Sequence, residues 1–262
     1  MLKAKYEILK EDMITHQTGV VLYRIRNLKT KRLGGYIESE ENLSQSGLAW
    51  VADEARVLGN ARVEGNAQIR GEASVFDGAL IFDNAEVTDN AWVFGQARVF
   101  GDARIFQNSL VCGSASIFGN TEIKGHARLS GRAYVHGKAR ISQEAQISGN
   151  VSIDGEVRIS GYAKISGHAK ISGSVEITDR CCILDNAELS ENARVFGESK
   201  IFAYAKIAGN ARIFGRARVH GRVQVCDNVW VYGAMELSDE EVYRGNSHLA
   251  VDVQEGEIPP AV

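Results

Sequence analysis

From Val51 to Leu237 every sixth residue is Val, Ile or Leu, through 32 consecutive positions without insertion or slip. Two residues before each stands a small one. It is Ala in 22 of the 32 cases, with exceptions such as Ser109, Thr121, Val151, Cys181 and Met235. Two residues after most of them stands Gly or, less often, Asp, as in Gly59, Gly65, Gly71, Asp77, Asp83 and Asp89. Residues two apart point to the same side of an extended chain, so Ala and Val face inward together and their neighbours face out. Gly-Asn, Asp-Asn and Gly-Asp pairs supply the positive φ of a corner. Each hexad is thus a short strand plus a turn. A helix is excluded, because six residues at roughly 100° each leave successive aliphatics about 240° apart. Three such strands close a prism that Ala and Val fill, giving coils of 18 residues stacked as parallel ladders. The same geometry explains the composition. Glycine is high at 27, and the only two prolines, Pro259 and Pro260, lie beyond the repeat, because each strand donates ladder hydrogen bonds.

The ends lie outside this register and divide the chain into residues 1–45, 46–238 and 239–262. Residues 6–9 and 20–25 read as two strands joined at His16-Gln17-Thr18-Gly19, a hairpin covering the first coil, with His16 on the solvated turn. Ser238-Asp239-Glu240-Glu241 reads as the cap of one helical turn, and residues 252–262 as a loose acidic tail. A net charge of −3 drives the chain to neither nucleic acid nor anionic membrane. With no long apolar run and no leader-like start, the expected location is cytoplasmic, without a membrane span. Cys112, Cys181, Cys182 and Cys226 form no C-x-x-C pair, against a zinc knuckle or disulfide scaffold.

Two columns face out from each side. The position before the aliphatic residue is basic, as in Arg56, Arg62, Arg98, Arg128, Arg140 and Arg158, and acids gather at the corners, as in Asp77, Asp83 and Asp102. The plain reading pairs basic sides with acidic edges; the functional one is a wall for anionic ligands. The position after the aliphatic residue holds all nine phenylalanines, in two belts about a Ser-rich waist. So many outward rings call for a cover, and Phe76, Phe82, Phe94, Phe100 and Phe118 are the expected interface residues.

The hexads resemble the hexapeptide-repeat family, on the aliphatic residue followed four later by a small one (Val57 and Ala61, Ile69 and Ala73). Glycine departs from that pattern, standing two after the aliphatic residue rather than next to it. Leu33-Gly34-Gly35-Tyr36-Ile37-Glu38 and Glu41-Asn42-Leu43-Ser44, with the Gly-Asn-Ala-Arg-Val hexads, narrow the resemblance to its YdcK-type group of transferases. The resemblance implies an all-β, single-stranded, left-handed parallel β-helix, a CoA-dependent acyltransferase with acetyl-CoA or another acyl-CoA as donor and a small-molecule acceptor, and a homotrimer. No metal is expected, since no histidines carry the spacing of the family's zinc-dependent carbonic anhydrases. Residues 18 apart stack on one side, and one column runs Phe82, Phe100, Phe118, His136, Asp154, Ser172. His136 beside Asp154 is the candidate general base with its orienting carboxylate. His126, with Glu144 one coil on, is the second candidate, and Arg128, Arg140 and Arg158 are the candidate contacts to CoA phosphates. The family's acyltransferases commonly interrupt the repeat with a loop that helps build the site, and this repeat has none. The alternative is therefore a non-catalytic scaffold or binding rod that assembles through its Phe belts.

Overall fold

The computed structural model describes residues 4–253, which fall into two compact units divided between Gly131 and Arg132. Each is a parallel β-solenoid of about 18 residues per turn. In the first unit Arg56–Val57, Ser74–Val75, Trp92–Val93, Leu110–Val111 and Arg128–Leu129 form one parallel series, each two-residue strand lying 18 residues from the next. In the second, Arg140–Ile141, Arg158–Ile159, Glu176–Ile177, Arg194–Val195 and Arg212–Ile213 repeat the arrangement. The ladder bonds are regular: Arg56 N–H donates to Ala73 at 2.8 Å and Leu58 N–H to Val75 at 3.0 Å. The interior residues of the hexads, such as Ala61, Val63, Ala163 and Ile201, are fully buried. Each aliphatic side chain so enclosed contributes about 1.5–3 kcal/mol. Where a hydroxyl replaces the interior Ala, it bonds back three residues: Ser109 to Phe106 O at 2.8 Å, Thr121 to Phe118 O at 2.7 Å, Ser199 to Phe196 O at 2.7 Å. Among the described residues no helix is long and apolar enough to cross a membrane.

The corner residue two after each aliphatic one has positive φ, whether Gly or not: Gly65 at 65°, Asp83 at 55°, Gln107 at 61°, Glu191 at 60°. The non-glycine residues have a specific use. The Asp83 carboxylate accepts the Gly101 N–H at 3.2 Å, Asp89 that of Gln107 at 2.9 Å, and Gln107 in turn that of Gly125 at 2.7 Å. Asp179, Asp185, Glu191 and Asp227 do the same for Gly197, Ala203, Gly209 and Gly245. Corner acids therefore bind the backbone of the next coil. The basic columns find their carboxylates on neighbouring strands of the same column: Arg104–Glu86 at 3.3 Å, Arg194–Glu176 at 3.6 Å, Lys206–Glu188 at 3.0 Å. The expected pairing of basic sides with acidic edges is corrected accordingly, since cross-strand neighbours are closer than corners.

In the first unit β1 (Tyr6–Thr15) and β2 (Val21–Asn27) pair antiparallel, and β3 (Leu33–Ile37) pairs antiparallel with β2 and parallel with Arg56–Val57. The hexad register reaches back into this segment. Ile37 lies opposite Val57 and Leu43 opposite Val63, two residues more than the 18-residue step. Buried Asn42 holds the longer coil. Its Oδ1 accepts the Glu38 and Ser39 N–H groups at 3.1 and 2.9 Å, and its Nδ2 donates to Gly59 O and Ala61 O at 2.9 Å each. His16 is not solvated as its turn position suggests. It is 6% exposed, its ring 6.1 Å from that of Phe76, because the hairpin end folds onto the coil.

In the second unit the register continues where a helical turn is expected. Val242–Tyr243 pairs with Gln224–Val225 and His248–Val251 with Trp230–Gly233, so residues 238–241 form another corner, with Asp239 at φ 74°. Six-residue spacing carries on through Leu237, Tyr243 and Leu249. The acidic tail from residue 254 lies outside the described residues.

Candidate functional site

The second unit holds the leading pair. Val135 and Ile153 are register partners, which puts the residues following them, His136 and Asp154, on the same outward column. His136 Nδ1 lies 2.9 Å from Asp154 Oδ1, with side chains 28% and 54% exposed. Asp154 is itself the register partner of Ser172. The Tyr134 ring stands edge-on to the imidazole, centroids 5.2 Å apart. A carboxylate on Nδ1 sets the tautomer whose Nε2, the nitrogen farther from the backbone, accepts a proton. The arrangement suits a base that must be oriented, and it sits on a rigid ladder.

A second His–carboxylate pair lies in the same unit and escapes a search confined to 18-residue steps. His220 Nε2 lies 3.0 Å from Glu236 Oε1, a diagonal contact 16 residues apart. One face of that imidazole stacks on Phe202, centroids 4.6 Å apart. His168, on a corner, accepts from the Asn150 amide at 3.2 Å.

His126 is exposed on a corner of the first unit, and Glu144 is partly buried on a corner of the second. Arg128 belongs to the first unit and Arg140 and Arg158 to the second; all three are exposed. Arg140 and Arg158 are direct register partners, so two guanidinium stems project side by side. Like charges so placed favour an anion between them.

The expected interface rings cover one another. Phe82, Phe100 and Phe118 stack with centroids 4.7 Å apart, as do Phe76 and Phe94. Phe76 also packs beside the buried Leu22, Tyr36 and Leu58. None of the nine phenylalanines is fully exposed, and Phe214 is buried. An in-register ladder hides ring faces within the chain itself, and eight of the nine rings stay partly exposed.

A scan against models of known protein families finds no match for this chain, and a search of curated proteins finds none either.

Proposed function

We propose that this chain is an acyltransferase of hexapeptide-repeat type, using an acyl-CoA donor, with His136 as general base and Asp154 as its orienting carboxylate. The observation that carries this reading is the 2.9 Å contact of His136 Nδ1 with Asp154 Oδ1 on a rigid parallel ladder. In the proposed reaction His136 Nε2 takes the proton from the acceptor hydroxyl or amine as its heteroatom attacks the thioester carbonyl. The tetrahedral adduct expels CoA thiolate, which recovers the proton from the imidazolium, leaving the acyl group on the acceptor. Arg140 and Arg158, neighbours on the basic column, suit the CoA phosphates. Left-handed winding, a cytoplasmic location and a trimeric assembly belong to the same reading.

Calorimetric titration with acetyl-CoA and with CoA tests it. Saturable micromolar binding, followed by acceptor-dependent CoA release that His136→Ala lowers by about 10²–10⁴-fold, is expected. The variant should unfold at the wild-type midpoint. Absence of binding at millimolar acetyl-CoA overturns the proposal and leaves a non-catalytic scaffold. Full activity in His136→Ala removes the base assignment and moves attention to His220 and His126.

A further inference from the structure

The first unit carries a built concavity that acyl transfer does not use. The turn between β2 and β3 faces the first coils, and two clefts of about 450 and 710 Å³ meet at Trp50, Asn27 and Thr30. The turn is pre-formed. Asn27 Oδ1 accepts the N–H groups of Lys29 and Thr30 at 3.0 and 2.9 Å, and Asn27 O accepts that of Lys31 at 2.9 Å. Trp50 is wedged against the Tyr6 ring edge, and at Gly34 a Cβ would stand 2.7 Å from the indole, so only glycine admits it.

The two clefts differ in chemistry. The smaller is polar, with Arg32, Arg70 and Gln68 about it. The larger is lined by Leu28, Ala49 and Leu48, the last 74% exposed, with Lys5 and Lys29 at its edge. Four cations thus meet one acid, Asp53, whose Oδ2 already accepts the Gly71 N–H at 3.0 Å. Among the described residues no carboxylate pairs with Lys29, Arg32 or Arg70. Lys5 Nζ donates to Ala49 O at 2.8 Å, and burial brings its ammonium down to about 8, so an anion nearby would restore lost solvation.

From this juxtaposition we infer that the double cleft binds a nucleotide, its phosphates on Arg32 and Arg70 and its base against Trp50 and Leu48. Guanidinium groups bind phosphate oxygens in pairs, and an indole beside apolar side chains accepts a planar ring. The Asn27 amide nitrogen and the Thr30 hydroxyl supply hydrogen bonds for the ribose and base edges, while the Gln68 Oε1 accepts from Arg70 at 3.3 Å and holds its guanidinium at the cleft. The inference stands apart from the acyl-transfer reading, because His136, Asp154, Arg140 and Arg158 belong to the other unit.

The test is a tryptophan-fluorescence titration of the whole protein with ADP, adenosine and pyrophosphate. ADP should bind saturably and change the indole emission, with adenosine and pyrophosphate each weaker. Arg32→Ala and Arg70→Ala should each weaken ADP by about tenfold or more at an unchanged unfolding midpoint, since both side chains are exposed. Trp50→Phe should remove most of the optical response. His136→Ala and Arg140→Ala should leave ADP binding unaltered, which separates this cleft from an acyl-CoA site that also takes an adenine nucleotide. No ADP binding at millimolar concentration overturns the inference. So does ADP binding that neither arginine variant weakens, and pyrophosphate binding as tightly as ADP reduces the cleft to an anion site.

Discussion

The corner geometry makes a prediction with opposite signs at neighbouring residues. Ala203 is an alanine held at φ 58°, where its N–H donates to the Asp185 carboxylate at 3.1 Å. An L-residue in the left-handed region costs about 1–2 kcal/mol. Glycine escapes that penalty and keeps the N–H, but its freer unfolded chain returns about 0.4–1 kcal/mol. Ala203→Gly should therefore stabilise the protein by about 0.5–1 kcal/mol. Two residues on, Ala205 is fully buried in the interior column and lies outside the positive-φ set. Ala205→Gly loses a buried methyl, about 0.8 kcal/mol, and adds the glycine entropy term, so it should destabilise by about 1–2 kcal/mol. Gly197→Ala is the converse at a corner. With φ at 75°, the new Cβ would stand 2.7 Å from Gly215 O, and backbone must move. Strain and overlap together should cost about 2–4 kcal/mol. Urea unfolding followed by circular dichroism gives all three. A destabilised Ala203→Gly, or a neutral Gly197→Ala, would refute the assignment of these corners as sterically left-handed.

Three further expectations follow from side-chain surroundings. Burial, then the Arg56 charge, lowers the His16 pKa below its ordinary 6.5, so the folded hairpin holds the ring neutral. The unfolded chain then binds the extra proton, and stability present above about pH 6.5 should fall as pH drops toward the folded value. Amide protection factors in β1 and β2, taken against the intrinsic exchange rate at each pH, should fall between pH 7 and 5, and His16→Phe should remove that trend; persistence of the trend would sink the account. Burial pushes the Cys181 thiol up to about 12, whereas Cys182 is partly exposed, so iodoacetamide should label Cys182 in the native protein and Cys181 only on unfolding. Equal rates at the two would contradict it. Phe100 stacks on both Phe82 and Phe118, so Phe100→Ala should lower stability by about 2–4 kcal/mol in the same urea assay. A loss under about 0.5 kcal/mol would mean the ladder contributes little.

The hexad pattern exposes the fold because each of its causes is local. Inward Ala and Val, the left-handed corner and the absence of proline all act within six residues. What escapes the pattern depends on contacts between coils. The link from Ile37 to Leu43 to Val51 is disguised by one eight-residue interval, which only buried Asn42 reveals. Asp at a corner looks like turn chemistry, yet its carboxylate serves an N–H one coil away. His16 looks solvated until the hairpin is laid against Phe76. Stacking by 18 brings His136 to Asp154 on paper, but the diagonal from His220 to Glu236 follows from side-chain reach across columns, which no spacing rule contains.

A regular ladder sets a histidine beside a carboxylate whenever composition allows, so proximity alone does not mark a base. The two pairs differ in the nitrogen engaged. Asp154 engages Nδ1 of His136, the pairing that sets the tautomer with its lone pair on Nε2, whereas Glu236 engages Nε2 of His220. Proton transfer from a substrate favours the first. Replacing the orienting group discriminates between them without removing either imidazole. Asp154→Asn should lower acyl transfer by at least about tenfold, since the imidazole loses the carboxylate that orients it. Glu236→Gln should leave the rate unchanged. If Glu236→Gln instead lowers the rate while Asp154→Asn does not, the base is His220, and the His136 pair is an ordinary product of the ladder.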